Sequence, residues 1–191
     1  MNKKLYEDSI ILIGPSGAGK STVADDMEKR LKMPRFCLDR VASEARRNGH
    51  RAKFRTADEF NYDMIHTLIT TAEKYEDAYG VVDFGAGHSI YKDKKIFNKV
   101  KKDLKPFKNV VLLLPCRDEK RALEIMASRS TGDISDYEVF LKSSCNKELA
   151  TMVVYADGRT PQEISDEIIS RIEQRKKREL NDGEIVWYIK K

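Results

Sequence analysis

The stretch Ile10-Ile-Leu-Ile13 followed by Gly14-Pro-Ser16-Gly17-Ala18-Gly19-Lys20-Ser21-Thr22 decides how this chain is read. Four aliphatic residues in a row suit a strand buried on both faces. The nine residues after them hold three glycines, a lysine and three hydroxyls, a poor recipe for a core. Gly14-x-x-x-x-Gly19-Lys20-Ser21 matches the phosphate-binding P-loop. Glycines let the backbone wrap an oxyanion with its N–H groups pointing inward, and a helix that starts there adds its positive end. Gly14, Ser16, Gly17, Ala18, Gly19, Lys20, Ser21 and Thr22 are therefore the expected nucleotide contacts. Lys20 is expected at the β- and γ-phosphates, and the Ser21 hydroxyl on Mg²⁺. The loop is expected to hold the phosphates of ATP or GTP.

Working outward, further apolar runs of strand length recur at Arg35–Leu38, Tyr79–Phe84, Asn109–Leu114 and Thr151–Tyr155. None alternates polar with apolar, as expected of strands inside a parallel sheet. Helical stretches separate them. Thr56-Ala-Asp-Glu59 forms a capping box for a long helix, and Thr160-Pro161-Gln-Glu163 forms another with proline at the first helical position. Lys20–Lys32, Asp93–Leu104, Asp118–Ser128 and Tyr137–Ala150 also read as helices. The alternation predicts an α/β three-layer P-loop fold: a five-stranded parallel sheet flanked by helices. The tail after Lys177 contains a turn signal at Asn181-Asp182-Gly183, and its Ile185-Val-Trp-Tyr-Ile189 run reads as an added C-terminal edge strand. Residues 1–191 read as one domain, with 178–191 as an extension.

Bulk properties narrow the function classes. The chain has 191 residues, 40% hydrophobic and 35% charged, with 36 Lys+Arg against 31 Asp+Glu. A net charge of +5 suits anionic small ligands at least as well as nucleic acid. No apolar run could span a bilayer, and the first ten residues hold no long apolar segment, so a cytoplasmic protein is expected. Three dispersed cysteines without a C-x-x-C pair suggest neither disulfides nor a zinc site. The basic run Arg175-Lys-Lys-Arg178 lacks interleaved aromatics, and no nucleic-acid partner is expected. The oligomeric state stays open. A guanine-reading Asn-Lys-x-Asp segment is absent, since Asn146-Lys147 runs into Glu148-Leu149.

Several other positions suit a second substrate. Asp39 is placed to accept a hydrogen bond from an acceptor hydroxyl and take its proton, or else to cap the helix that follows. Arg55 would fork onto an anionic group, or sit solvated at a helix start. Gly85, Ala86 and Gly87 follow a strand, where α/β folds bind ligands, or form a plain turn. Asp83 reads as a partner behind Mg²⁺ or as a buried hydrogen-bonded acid. His88 reads as structural or as a ligand contact.

Taken in order, these features resemble the shikimate kinase family of P-loop kinases, within the nucleoside monophosphate kinase-like fold. The resemblance spans about residues 5 to 173. It rests on GPSGAGKST, on Phe36-Cys-Leu-Asp39-Arg40, on Phe54-Arg55-x-x-x-Glu59, on Gly85-Ala86-Gly87, and on Tyr155-Ala-Asp-Gly-Arg-Thr-Pro161. It implies an ATP- and Mg²⁺-dependent transfer of phosphate to a hydroxyl of a small, acidic metabolite. It also implies a lid at about 129–137, with Arg129 on the nucleotide and Lys142 where the family holds its substrate carboxylate. The chain departs from the family at Cys37, where an aspartate is usual, at Ala86, and across Ser130–Leu141, which has no arginine or lysine. Lys142 stands in for an arginine and lacks its planar fork. Shikimate kinase proper, a nucleotide or nucleoside kinase, and an ATP-binding regulatory module are the alternatives.

Overall fold

The computed structural model describes residues 2–129 and 134–189. Five strands, β1 (Ile10–Ile13), β2 (Arg35–Cys37), β3 (Val81–Asp83), β4 (Val110–Leu114) and β5 (Met152–Tyr155), form one sheet in the order β2-β3-β1-β4-β5. Every pairing is parallel. All five lie within the apolar runs read from the sequence. The helices are α1 (Lys3–Asp8), α2 (Lys20–Leu31), α3 (Leu38–Arg47), α4 (Ala57–Ala72), α5 (Lys94–Leu104), α6 (Glu119–Arg129), α7 (Ile134–Lys142), α8 (Ser144–Leu149) and α9 (Pro161–Ile189).

The central strands β1 and β4 are buried on both faces, which is why they are aliphatic throughout, while the edge strand β2 (Arg35-Phe-Cys37) is half-exposed. Ile11, Ile13, Val82, Val110 and Leu112 pack with α4, α5 and α8 through Phe60, Ile65, Val100 and Leu149. Their neighbours Ile10, Leu12, Val81, Val111, Leu113 and Val154 face the other way, onto Val23 and Met27 of α2 and Ile164, Ile168 and Ile172 of α9. Each such side chain contributes about 1.5–3 kcal/mol by leaving water.

Both capping boxes form. Glu59 N–H donates to Thr56 Oγ1 at 3.1 Å while the Glu59 carboxylate accepts from Thr56 N–H at 3.1 Å. Thr160 and Glu163 repeat the arrangement at 2.7 and 3.2 Å. The segment read as one helix over Tyr137–Ala150 is instead two, α7 and α8, and Ser143 caps the second through a bond from Cys145 N–H.

The expected C-terminal edge strand does not form. Residues 185–189 continue α9, and the expected turn at Asn181-Asp182-Gly183 is helical. A five-residue apolar run fits a strand or a helix equally well by pattern alone. Here α9 already propagates, at one hydrogen bond per residue added, and one glycine costs only about 1 kcal/mol against that. The basic run Arg175–Arg178 lies inside this helix. Arg175 donates to Asn109 Oδ1 at 3.2 Å and pairs with Glu179, while Lys176 pairs with Asp8. Those two cations are spent on docking α9 against α1 and the start of β4. Among the described residues, no helix is long and apolar enough to cross a membrane.

Candidate active site

The register brings several of the expected site residues to one end of the sheet. Leu12 of β1 lies beside Asp83 of β3, and Asp83 lies beside Cys37 of β2. The P-loop leaves β1 one residue later, and Asp39 follows β2 by two. All stand at the carboxyl ends of parallel strands, where α/β sheets bind ligands.

The loop is shaped for an anion. Gly14, Gly17 and Gly19 have φ of +136°, +76° and +94°, a region that side chains disfavour. A Cβ at Gly14 would also overlap the carbonyl of Leu113. Gly19 is the residue before α2, so the helix begins at Lys20 with its free N–H groups at the loop. Lys20 is buried, with 7% of its surface exposed, and its Nζ donates to Pro15 O at 2.9 Å across the loop. Burial pushes the Lys20 pKa below its ordinary value, opposed by the carboxylates of Asp83 and Asp39 and by Cys37. An ammonium held dry in this way gains when polyphosphate arrives.

A cavity of about 650 Å³ opens from the loop, lined by Ser16, Gly17, Gly19, Lys20, Ser21, Thr22, Asp39, Asp83, Phe84, Ala86, Gly87, Arg129 and Phe140. It gathers most of the residues singled out in the sequence. Gly14 and Ala18 shape the loop from behind, Ala18 being fully buried. Another cavity, of about 250 Å³, is lined by side chains such as Leu5, Leu68 and Phe107 and by no charged residue, so it offers nothing to a phosphate.

Asp39 lies in the first turn of α3 and not at its cap, which is Cys37. Its side chain is 64% exposed and its Oδ1 stands 3.5 Å from His88 Nδ1. Asp83 is buried, and Arg35 Nη2 donates to its Oδ2 at 3.0 Å. Arg35 also pairs with Asp25 of α2, so it ties β2 to β3 and to the helix behind the loop. Asp83 is thus a buried, ion-paired acid that also lines this cavity beside Ser21.

Two expected residues stand elsewhere. Arg55 lines a separate groove with Lys53, Glu59, Tyr62, Asp63 and Lys99. Lys142 is exposed and pairs with Glu138 of its own helix at 3.1 Å. Of the expected lid, residues 130–133 lie outside the described residues. Arg129 ends α6, and Tyr137 of α7 is buried.

The structure adds residues the sequence did not point to. Phe140 closes one wall of the cavity. Asn61, on the buried side of α4 with Phe60 and Ile65, donates to Gly87 O at 2.9 Å and fixes the glycine-rich turn. A polar residue amid an apolar helix stripe was the available signal for Asn61.

No protein-family model matches the chain, and no curated protein matches it in sequence. Solved structures do match in shape. A shikimate kinase from Acinetobacter baumannii, in complex with shikimate, superposes with a TM-score of 0.66 at 18% identity over 91% of this chain and 98% of that one. A shikimate kinase from Aquifex aeolicus gives 0.60 at 18% identity, over 87% and 97%. A gluconokinase from Sinorhizobium meliloti gives 0.59 at 15% identity, over 93% and 98%. The chain has the α/β P-loop fold of these kinases.

Proposed function

We propose that the protein is a P-loop small-molecule kinase that moves the γ-phosphoryl group of ATP to an acceptor hydroxyl. The observation that carries this reading is the single cavity shared by Lys20, Ser21 and Asp39. One end is a cradle for polyphosphate, and the other presents a carboxylate. The backbone N–H groups from Gly14 to Thr22 would hold the phosphates, with Lys20 neutralising charge that builds on the transferring group. Ser21, with Asp83 behind it, would hold Mg²⁺, which supplies further charge neutralisation when bound. Asp39 orients the acceptor hydroxyl and takes its proton. Gly85, Ala86 and Gly87 run alongside the acceptor.

Residues 1–191 act as one catalytic unit, and the segment 129–137 serves as its lid, with Arg129 covering the nucleotide. Arg55 and Lys142 would read an acidic group on the acceptor only once the elements that bear them close inward. The fold neighbours act on shikimate and gluconate by name, so both compounds belong in the acceptor panel beside sugars and nucleoside monophosphates.

ADP release with Mg-ATP over that panel tests the reading. At least one hydroxylated acceptor is expected to stimulate release, and Asp39→Asn is expected to lower kcat by about 10²–10⁴. Stimulation that survives Asp39→Asn and Lys20→Met unchanged would overturn it. A second reading, nucleotide binding without transfer, is favoured by the absence of arginine and lysine from Ser130–Leu141. Tight Mg-ATP binding with no product from any acceptor would support that alternative.

A further inference from the structure

His88 sits in the short 3-10 turn Ala86–Ser89, just after β3, with 1% of its surface exposed. Neither ring nitrogen has a hydrogen-bond partner. The backbone around it is pinned. His88 N–H donates to Gly85 O at 2.9 Å, Tyr91 Oη donates to His88 O at 3.0 Å, and Asn61 holds Gly87 O. A buried polar group left unpaired costs about 1–3 kcal/mol. The nearest charged group is Asp39, whose Oδ1 is 3.5 Å from His88 Nδ1, just beyond hydrogen-bond range. The two sit on different elements: His88 on a pinned turn, Asp39 on the exposed start of α3.

We propose that His88 is a positioning residue that donates its Nδ1–H to Asp39 and fixes that carboxylate over the phosphate cavity. The inference rests on the reading of Asp39 as the acceptor's partner and deepens it. An inward movement of α3 by about half an ångström turns the contact into a hydrogen bond. Gly85 makes the approach possible, because its missing side chain leaves the space that the Asp39 carboxylate occupies. The neutral imidazole is favoured: burial lowers its pKa, Arg46 and Lys20 lower it further, and Asp39 and the Gly85 backbone oppose them. A neutral donor orients the carboxylate and leaves its negative charge available to the acceptor proton. An imidazolium would bind it more tightly and reduce its basicity.

Two measurements test the proposal. The first is an NMR titration of the imidazole in the wild type and in Asp39→Asn. Loss of the carboxylate is expected to lower the His88 midpoint by about one pH unit. An unchanged midpoint would overturn the contact. This arm needs no acceptor, so it stands even if the kinase reading fails and no acceptor is phosphorylated.

The second is a kinetic cycle with Mg-ATP and the acceptor that the panel identifies. His88→Leu is expected to lower kcat at least about tenfold with KM for ATP within about twofold, and His88→Asn, which keeps an N–H near the Nδ1 position, to recover most of the loss. His88→Leu placed on Asp39→Asn is expected to cost little more. Full kcat in His88→Leu, or a loss that multiplies independently of Asp39, would overturn the positioning role. Thermal melts of each variant show whether it folds; if both His88 variants unfold, the NMR arm decides.

Discussion

The carboxylate of Asp39 lies where a side chain at Gly85 would have to go. A Cβ built on Gly85 overlaps both carboxylate oxygens, although the backbone there, at φ −62°, is one that any residue adopts. The glycine is required by its neighbour and not by its own conformation. Gly85→Ala is therefore expected to fold with ordinary turn geometry and to push Asp39 aside. The predicted cost is about 1–3 kcal/mol in stability. Phosphotransfer should fall at least about tenfold while Mg-ATP affinity stays near that of the wild type. Melting curves and acceptor kinetics on this one variant separate the two effects.

Arg35 carries a different kind of prediction. It is the partner of buried Asp83 and also reaches Asp25. Arg35→Ala leaves Asp83 buried without its guanidinium partner. Removing one partner of a buried pair is strongly destabilising, and about 3 kcal/mol is expected here, or roughly 6–12 °C in Tm. A melt within a degree of the wild type would show that the pair holds nothing in place.

These two relationships mark where sequence reading stops. The central strands β1 and β4 were legible because burial on both faces demands unbroken aliphatic runs, and the half-exposed edge strand β2 was marked only by a short mixed run. The loop was legible because its glycines answer to local geometry. Thr56 with Glu59 and Thr160 with Glu163 were legible because capping is settled within four residues. The tail was not: Ile185–Ile189 has strand composition, but a helix already under way absorbs it. Arg55 and Lys142 were placed at the acceptor by their order in the chain, and order does not say which groove a side chain lines. The burial of His88, the grip of Arg35 on Asp83 and the anchoring of Gly87 by Asn61 depend on contacts 26 to 49 residues apart. No local pattern encodes them.

The buried imidazole also gives the fold a pH dependence of definite sign. His88 has a folded pKa below its ordinary 6.5. Above 6.5 both folded and unfolded chains keep it neutral, and its contribution to stability is fully present. As pH falls below 6.5 the unfolded chain takes up a proton that the folded chain refuses, so stability falls until the folded pKa is passed. The slope is at most about 1.4 kcal/mol per pH unit. His50 and His66 face Asp63 and Asp103 and remain the same in both proteins. Urea midpoints of the wild type and His88→Leu, taken from pH 7.5 down to 5, should therefore diverge, with the wild type losing more. Parallel curves would contradict the lowered pKa.

Calorimetric titration of Mg-ATP into the wild type and into Lys20→Met tests the central claim, that the Gly14–Thr22 loop is a polyphosphate cradle. Saturable binding to the wild type is predicted, with affinity at least about tenfold weaker in the variant. The variant should melt no lower than the wild type without nucleotide, because it loses an ammonium whose charged form burial already disfavours. Equal affinity in the two proteins, or no binding to the wild type, would contradict the account.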